Sequence, residues 1–124
     1  MSKNILVIDD EELVTESLKR LFKKEGYTVA IARNNTEAME KIKEIEFNLV
    51  VSDIRMPEVN GLEIIKNIRH YYKISQKKPI PEILITGYSS DEHLKEAQAL
   101  KVADYLSKPF DIKDFLEIVK KNLK

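Results

Sequence analysis

The sequence has no cysteine. Disulfide scaffolds, thiolate zinc sites, thiol catalysis and thiol redox chemistry are therefore excluded, and the composition fits a reducing, cytoplasmic setting. Neither charge is in excess: 21 Lys+Arg against 21 Asp+Glu gives a formal net charge of zero. A general binder of nucleic acid or membrane surfaces would carry a basic surplus, so neither is expected as a direct partner. No apolar stretch approaches the length of a membrane span. The short apolar run near the N-terminus is too brief for a signal-peptide core. No internal repeat or low-complexity segment interrupts the 124 residues. A hydrophobic fraction of 43% excludes a disordered acidic tail and supports one domain with its own core.

What is present is an alternation of short apolar runs and longer stretches of helical period. Asn4–Ile8 is a continuous apolar run, as a strand buried on both faces requires. Leu13, Ser17, Leu18, Leu21 and Phe22 then recur at helical spacing, and Gly26 is placed to end that helix. Thr28–Ala32 reads as the second strand, and Asn34 with Glu37 reads as a capping box ahead of a helix through Ala38, Met39, Ile42 and Ile45. Asn48–Ser52 is the third strand, followed by Asp53. After a loop containing Pro57, Asn60 and Gly61, a third helix carries Leu62, Ile65, Ile68 and Tyr72.

Lys73–Pro81 reads as a polar, flexible connector, with Lys77 and Lys78 as a solvated pair. Ile83–Thr86 is the fourth strand, and Ser89 with Glu92 suggests a second capping box before a helix through Leu94, Ala97 and Leu100. Ala103–Leu106 is a short fifth strand, and Ile112, Phe115, Leu116, Val119 and Leu123 mark a final helix. Five strands alternating with five helices predict an α/β fold with a parallel sheet and right-handed crossovers. Ligands of such sheets bind beyond the C-terminal strand ends, where the strand order reverses.

Those ends carry Asp9 and Asp10 after the first strand, Asp53 after the third, Thr86 on the fourth and Lys108 after the fifth. Three carboxylates on one rim repel one another, and a hard divalent cation such as Mg²⁺ is the usual remedy. Lys108 supplies a point charge and Thr86 a hydroxyl donor for a phosphoryl oxygen. A carboxylate such as Asp53 can itself be the nucleophile that forms an aspartyl phosphate. Taken singly, each residue has an ordinary role: Asp caps helices and makes turns, Thr86-Gly87 is a plain strand end, Lys108-Pro109 is a loop, and Tyr105 is a core aromatic. Their joint placement at successive strand ends is what points to a site.

These stretches resemble the response-regulator receiver domain of two-component signalling. The matching segments are Ile5–Glu11, Val50–Pro57 with Asn60-Gly61, Ile85–Tyr88, and Ala103–Phe110. The resemblance implies a doubly wound, flavodoxin-like sheet of order 2-1-3-4-5 with five helices, and a single receiver domain over 1-124 with no output domain in this chain. It implies that Asp53 is the phosphoacceptor, served by a histidine kinase or a phosphotransfer protein. Asp9, Asp10, Asp53 and the backbone carbonyl of Arg55 would hold Mg²⁺, and Lys108 would pair with the phosphoryl group. Thr86 and Tyr105 would be the switch residues, with readout through the fourth helix, fifth strand and fifth helix to a downstream target. The Lys108-Pro109 bond would be cis. The domain would catalyse only its own phosphoryl uptake and loss, and phosphorylation could drive a homodimer.

Arg55 and Tyr88 lie two residues past Asp53 and Thr86, where their side chains could overhang the site and modulate the phosphoryl lifetime. Gly87 leaves room for a small donor or for a shift of Thr86. The connector leads into the fourth strand and so lies away from the chemistry. A phosphorylation-independent interaction module on the same fold is the competing reading, although such degenerate relatives usually lack one of the site residues. A nucleotide or flavin binder would want a Gly-rich or Ser/Thr-rich loop after the first strand, where four acidic residues stand instead. A phosphohydrolase would usually place its nucleophile and acid–base carboxylate in one loop, which the separation of Asp53 from Asp9 and Asp10 does not match.

Overall fold

The computed structural model describes residues 3–87 and 91–124. In chain order the elements are β1 (Asn4–Ile8), α1 (Glu12–Lys24), β2 (Thr28–Ala32), α2 (Asn35–Glu44), β3 (Leu49–Asp53), α3 (Gly61–Ile74), β4 (Glu82–Thr86), α4 (Asp91–Leu100), β5 (Asp104–Ser107) and α5 (Ile112–Asn122). All strand pairs are parallel, in the order β2-β1-β3-β4-β5. The expected doubly wound sheet is therefore the observed one. Observed β3 takes in Asp53 as its last residue, and β5 sits one residue later than its apolar pattern suggests.

The central strands are buried on both faces, which is why they read as unbroken apolar runs rather than alternating ones. Alternate residues feed two cores. Leu6, Ile8, Val50 and Leu84 join Ile42, Leu62, Ile65 and Ile68 from α2 and α3 in one core. Ile5, Val7, Val51, Ile83 and Ile85 join Leu18 and Phe22 of α1 and Phe115 and Val119 of α5 in the other.

The phase of α1 differs from the expected stripe. Thr15, Leu18 and Phe22 are its buried residues, whereas Leu13 is 84% exposed and Ser17 lies at the surface. Leu13 lies roughly 200° around the helix from Thr15, so both cannot face the sheet. Ile112 likewise lies outside the core of α5.

Gly26 ends α1 with φ 85°, and the N–H groups of Gly26 and Tyr27 donate to Lys23 and Phe22 carbonyls. This is a Schellman closure. The same pair of bonds closes α3, which runs two residues beyond its expected stripe to Ile74, around Gln76 (φ 58°), and closes α4 around Lys101 (φ 55°). Neither of those ends has a glycine to announce it. At α2, Asn34 accepts from the Glu37 N–H as expected, but the Glu37 carboxylate reaches back to the Arg33 N–H rather than to Asn34. Ser89, of the second expected capping box, lies outside the described residues.

The connector before β4 is more tied down than its composition suggests. The Lys77 N–H donates to the Tyr72 carbonyl, and its Nζ lies 5.7 Å from the ring centroids of both Tyr71 and Tyr72. Lys77 is half-buried against those rings, so only Lys78 fits the expected solvated pair. Below the sheet, Arg69 of α3 makes two hydrogen bonds to the Glu82 carboxylate, at 2.8 and 2.6 Å, and donates to the Leu100 carbonyl that ends α4. Glu82 is buried at the start of β4, so this ion pair ties three elements together.

Candidate functional site

The site forms where β1, β3, β4 and β5 end on one rim. The Asp9 N–H continues the ladder to β2 by donating to the Ala32 carbonyl, which holds Asp9 at the end of β1. Its Oδ1 accepts from the Glu11 N–H at 2.9 Å. Asp9 thus shapes the turn into α1, while the N-cap residue Glu11 makes no side-chain cap bond, so neither Asp9 nor Asp10 is the cap itself. Asp9 and Asp53 are buried and Asp10 is exposed. One carboxylate oxygen from each of the three lies within 4.8 Å of the others.

Lys108 closes the rim from the far side. Its N–H donates to the Thr86 carbonyl at 2.7 Å, which carries the β4–β5 pairing past the end of β5. The Lys108-Pro109 bond is cis, as expected. Lys108 Nζ then stands 3.9 Å from both Asp9 Oδ2 and Asp53 Oδ2. Thr86 is fully buried at the end of β4.

The charges on this rim are incompletely balanced. Burial pushes the Asp9 carboxyl up to about 6; the Glu11 N–H and Lys108 pull it down, while Asp53 adds to the rise. Burial also raises Asp53, against Lys108 and the backbone N–H groups of Arg55 and Ile54. Asp53 Oδ1 is enclosed and has no hydrogen-bond partner among the described residues. A buried anionic oxygen with nothing donating to it, beside two further carboxylates, is a donor set that suits a hard, oxygen-seeking divalent cation.

Two contributors carry no chemical signal in the sequence. The Ser52 hydroxyl donates to the Asp53 carbonyl at 2.9 Å. A Cβ placed on Gly61 would lie 1.9 Å from that same carbonyl oxygen and 2.9 Å from Ser52 Oγ. Gly61 also donates its N–H to the Ile54 carbonyl at 2.8 Å, so the first turn of α3 is pressed against the strand end that bears Asp53. Asn60 caps that turn by accepting from the Glu63 N–H, which accounts for the Asn-Gly pair.

The remaining expected residues are placed as follows. Arg55 is exposed and, with Ile54, Met56, Pro57 and Asn60, borders an open pocket of about 420 Å³. Tyr105 is half-buried against the core that α2 and α3 cover, its hydroxyl enclosed without a hydrogen-bond partner among the described residues. A Cβ on Gly87 would meet no described atom within 4 Å. Tyr88 lies outside the described residues.

Residues 5–120 match the family model of the response regulator receiver domain. The chain belongs to that family. It is 37% identical over 121 residues to the transcriptional regulatory protein CrdR of Helicobacter pylori, covering 98% of this chain and 55% of that protein. It is 35% identical over 120 residues to the transcriptional regulatory protein ZraR of Escherichia coli, covering 97% of this chain and 26% of that one. The chain therefore spans about half the length of the first relative and about a quarter of the second. Among solved structures it resembles a CheY-like receiver domain from Methanospirillum hungatei, with a TM-score of 0.88, 32% identity, and 99% and 94% of the two chains covered. It also resembles the response regulator TrrA of Thermotoga maritima in complex with Mg²⁺ and BeF, with a TM-score of 0.82, 36% identity, and 98% and 99% covered. A receiver domain is a signalling switch rather than a conventional enzyme, and receivers bind Mg²⁺ at an acidic pocket.

Proposed function

We propose that this receiver accepts a phosphoryl group on Asp53 from a histidine kinase or a phosphotransfer protein. The observation that carries this reading is the placement of Lys108 Nζ 3.9 Å from Asp53 Oδ2, beside the unpartnered Asp53 Oδ1 and the carboxylates of Asp9 and Asp10. In the transfer, an Asp53 carboxylate oxygen bonds to phosphorus as the phosphorus–nitrogen bond of the donor phosphohistidine breaks, and the imidazole, already protonated on its other ring nitrogen, keeps the bond's electron pair and leaves neutral. Asp9, Asp10, Asp53 and the backbone carbonyl of Arg55 are the groups that would hold Mg²⁺. When bound, the ion neutralises charge on the phosphoryl oxygens. Lys108 pairs with one of those oxygens, and the Thr86 hydroxyl donates to another.

The new phosphoryl charge biases a two-state element, and Thr86 and Tyr105 are the residues that move with it. The readout runs through α4, β5 and α5 to a downstream protein or output domain, with a phosphorylation-dependent homodimer as one form of it. Arg55 and Tyr88 tune how long the phosphoryl group persists, and Gly87 keeps the approach beside Thr86 open. The domain hydrolyses its own acyl phosphate and acts on no other substrate. The setting is cytoplasmic, and residues 1–124 act as one receiver unit.

Incubation with Mg²⁺ and a small acyl phosphate, read by intact mass, tests this. One phosphoryl adduct is expected, absent with chelator and absent in Asp53→Asn. An adduct that survives Asp53→Asn would overturn the assignment. No adduct from either a small donor or a phosphorylated histidine kinase, together with no Mg²⁺ binding, would favour a phosphorylation-independent interaction module.

A further inference from the structure

A second concave site lies at the opposite end of the sheet, between the C-terminal half of α3, the connector and the start of β4. It is a half-enclosed groove of about 710 Å³. Its apolar lining comes from Ile68, Tyr72, Ile80, Pro81 and Ala103. That volume and that lining are typical of small-molecule sites, in which a few polar groups fix the orientation of a mostly apolar ligand.

Outside one ion pair, the charged groups here have one sign. Lys73, Lys77 and Lys101 border the groove. Arg69 and Glu82 border it too, but they hold each other in a two-bond ion pair, so their charges offset. Three lysine charges are therefore left around an apolar pocket in a chain whose formal net charge is zero. None of the three makes an ion pair among the described residues. They are also not equally free to move. Lys77 Nζ rests 5.7 Å from the Tyr71 and Tyr72 ring centroids, which restrains one of the bordering cations. The backbone positions of the other two are set by α3 for Lys73 and by the left-handed closure of α4 for Lys101.

We infer that this groove binds a small amphipathic carboxylate, with its apolar body between Tyr72, Ile80 and Ala103 and its carboxylate among Lys73, Lys77 and Lys101. Apolar burial supplies the affinity, and the lysines select an anion over a neutral molecule of the same shape. The site shares no residue with the rim that holds Asp53, so the inference stands independently of the proposed phosphoryl chemistry.

Decanoate is a suitable probe, with decanol as the same chain without the charge. Each is titrated below its aggregation limit into isotope-labelled protein, following backbone amide resonances. Saturable shifts with decanoate are expected, confined to residues 68–82 and 101–103, with weaker binding of decanol. Lys77→Gln should weaken decanoate binding about fivefold, the scale of one partly exposed ion pair. Ala103→Phe, at an exposed position, should block binding by filling the groove. Shifts scattered over the surface would overturn the site. Equal binding of decanol and decanoate, or unchanged affinity in Lys77→Gln, would overturn the selection for an anion. Amide spectra of each variant without ligand confirm that the fold is retained.

Discussion

Gly61 presses against the backbone carbonyl of Asp53, so closely that a single added methyl carbon would lie 1.9 Å from the oxygen. That carbonyl also accepts from Ser52 Oγ. The residue proposed to take the phosphoryl group is thus held by its main chain, not only by its side-chain partners. Gly61→Ala forces α3 and β3 apart at this contact. A loss of about 1–3 kcal/mol in urea unfolding is expected, the usual cost of overpacking. Phosphoryl uptake from a small donor should fall as well. Unchanged stability would show that the close approach is easily relieved.

The buried rim makes stability depend on pH in a direction unusual for carboxylates. The Asp9 pKa rises from about 3.8 to about 6 on folding, mainly through burial. The folded state therefore binds more protons than the unfolded chain between those values, and stability falls as pH rises through that window. A rise of about two units corresponds to about 1–3 kcal/mol. With chelator present, the difference in unfolding free energy between wild type and Asp9→Asn should widen from pH 4 to pH 7, with the variant the more stable at pH 7. Mg²⁺ should narrow the difference at pH 7 by favouring the ionised carboxylate. A constant difference across the range would contradict the burial argument.

The tie between α3, β4 and α4 is a further quantity to measure. Arg69→Met leaves the Glu82 carboxylate buried without its partner, and a loss of about 3 kcal/mol is expected. The double variant Arg69→Met/Glu82→Leu should recover most of that loss, because neither charge then remains to be desolvated. Failure of the double variant to recover would mean that the Arg69 bond to the Leu100 carbonyl carries the effect.

Tyr105 offers the opposite sign. Its hydroxyl is enclosed and has no hydrogen-bond partner among the described residues. Tyr105→Phe removes that polar atom, so the unphosphorylated domain should be as stable as wild type or more stable, by up to about 1 kcal/mol. A clear loss of stability in thermal unfolding would show that the hydroxyl is satisfied after all.

The parallel sheet was legible because Asn4–Ile8, Leu49–Asp53 and Glu82–Thr86 are buried on both faces and so carry continuous apolar runs. Asp9, Asp10, Asp53, Thr86 and Lys108 could be read as a cluster because the chain direction alone puts the ends of parallel strands on one rim. The roles of Gly61 and Ser52 were not legible, because both depend on how closely α3 approaches β3. The Arg69–Glu82 pair was hidden for a similar reason: 13 residues separate a helix cation from a strand anion, and only tertiary packing joins them. Leu13 misled because a helical repeat accommodates more than one phase until the sheet selects a face. The end of α3, at Ile74 rather than Tyr72, was missed because Gln76 takes the left-handed conformation that glycine usually signals.

The identity of the acceptor tests the account most directly. After reaction with a small acyl phosphate and Mg²⁺, borohydride reduction converts a phosphorylated aspartate to homoserine, and peptide sequencing by mass spectrometry locates it. Homoserine at position 53 alone is the predicted result. Homoserine at position 9 or 10, or at none of the three despite a phosphoryl adduct on the intact protein, would contradict the assignment of Asp53.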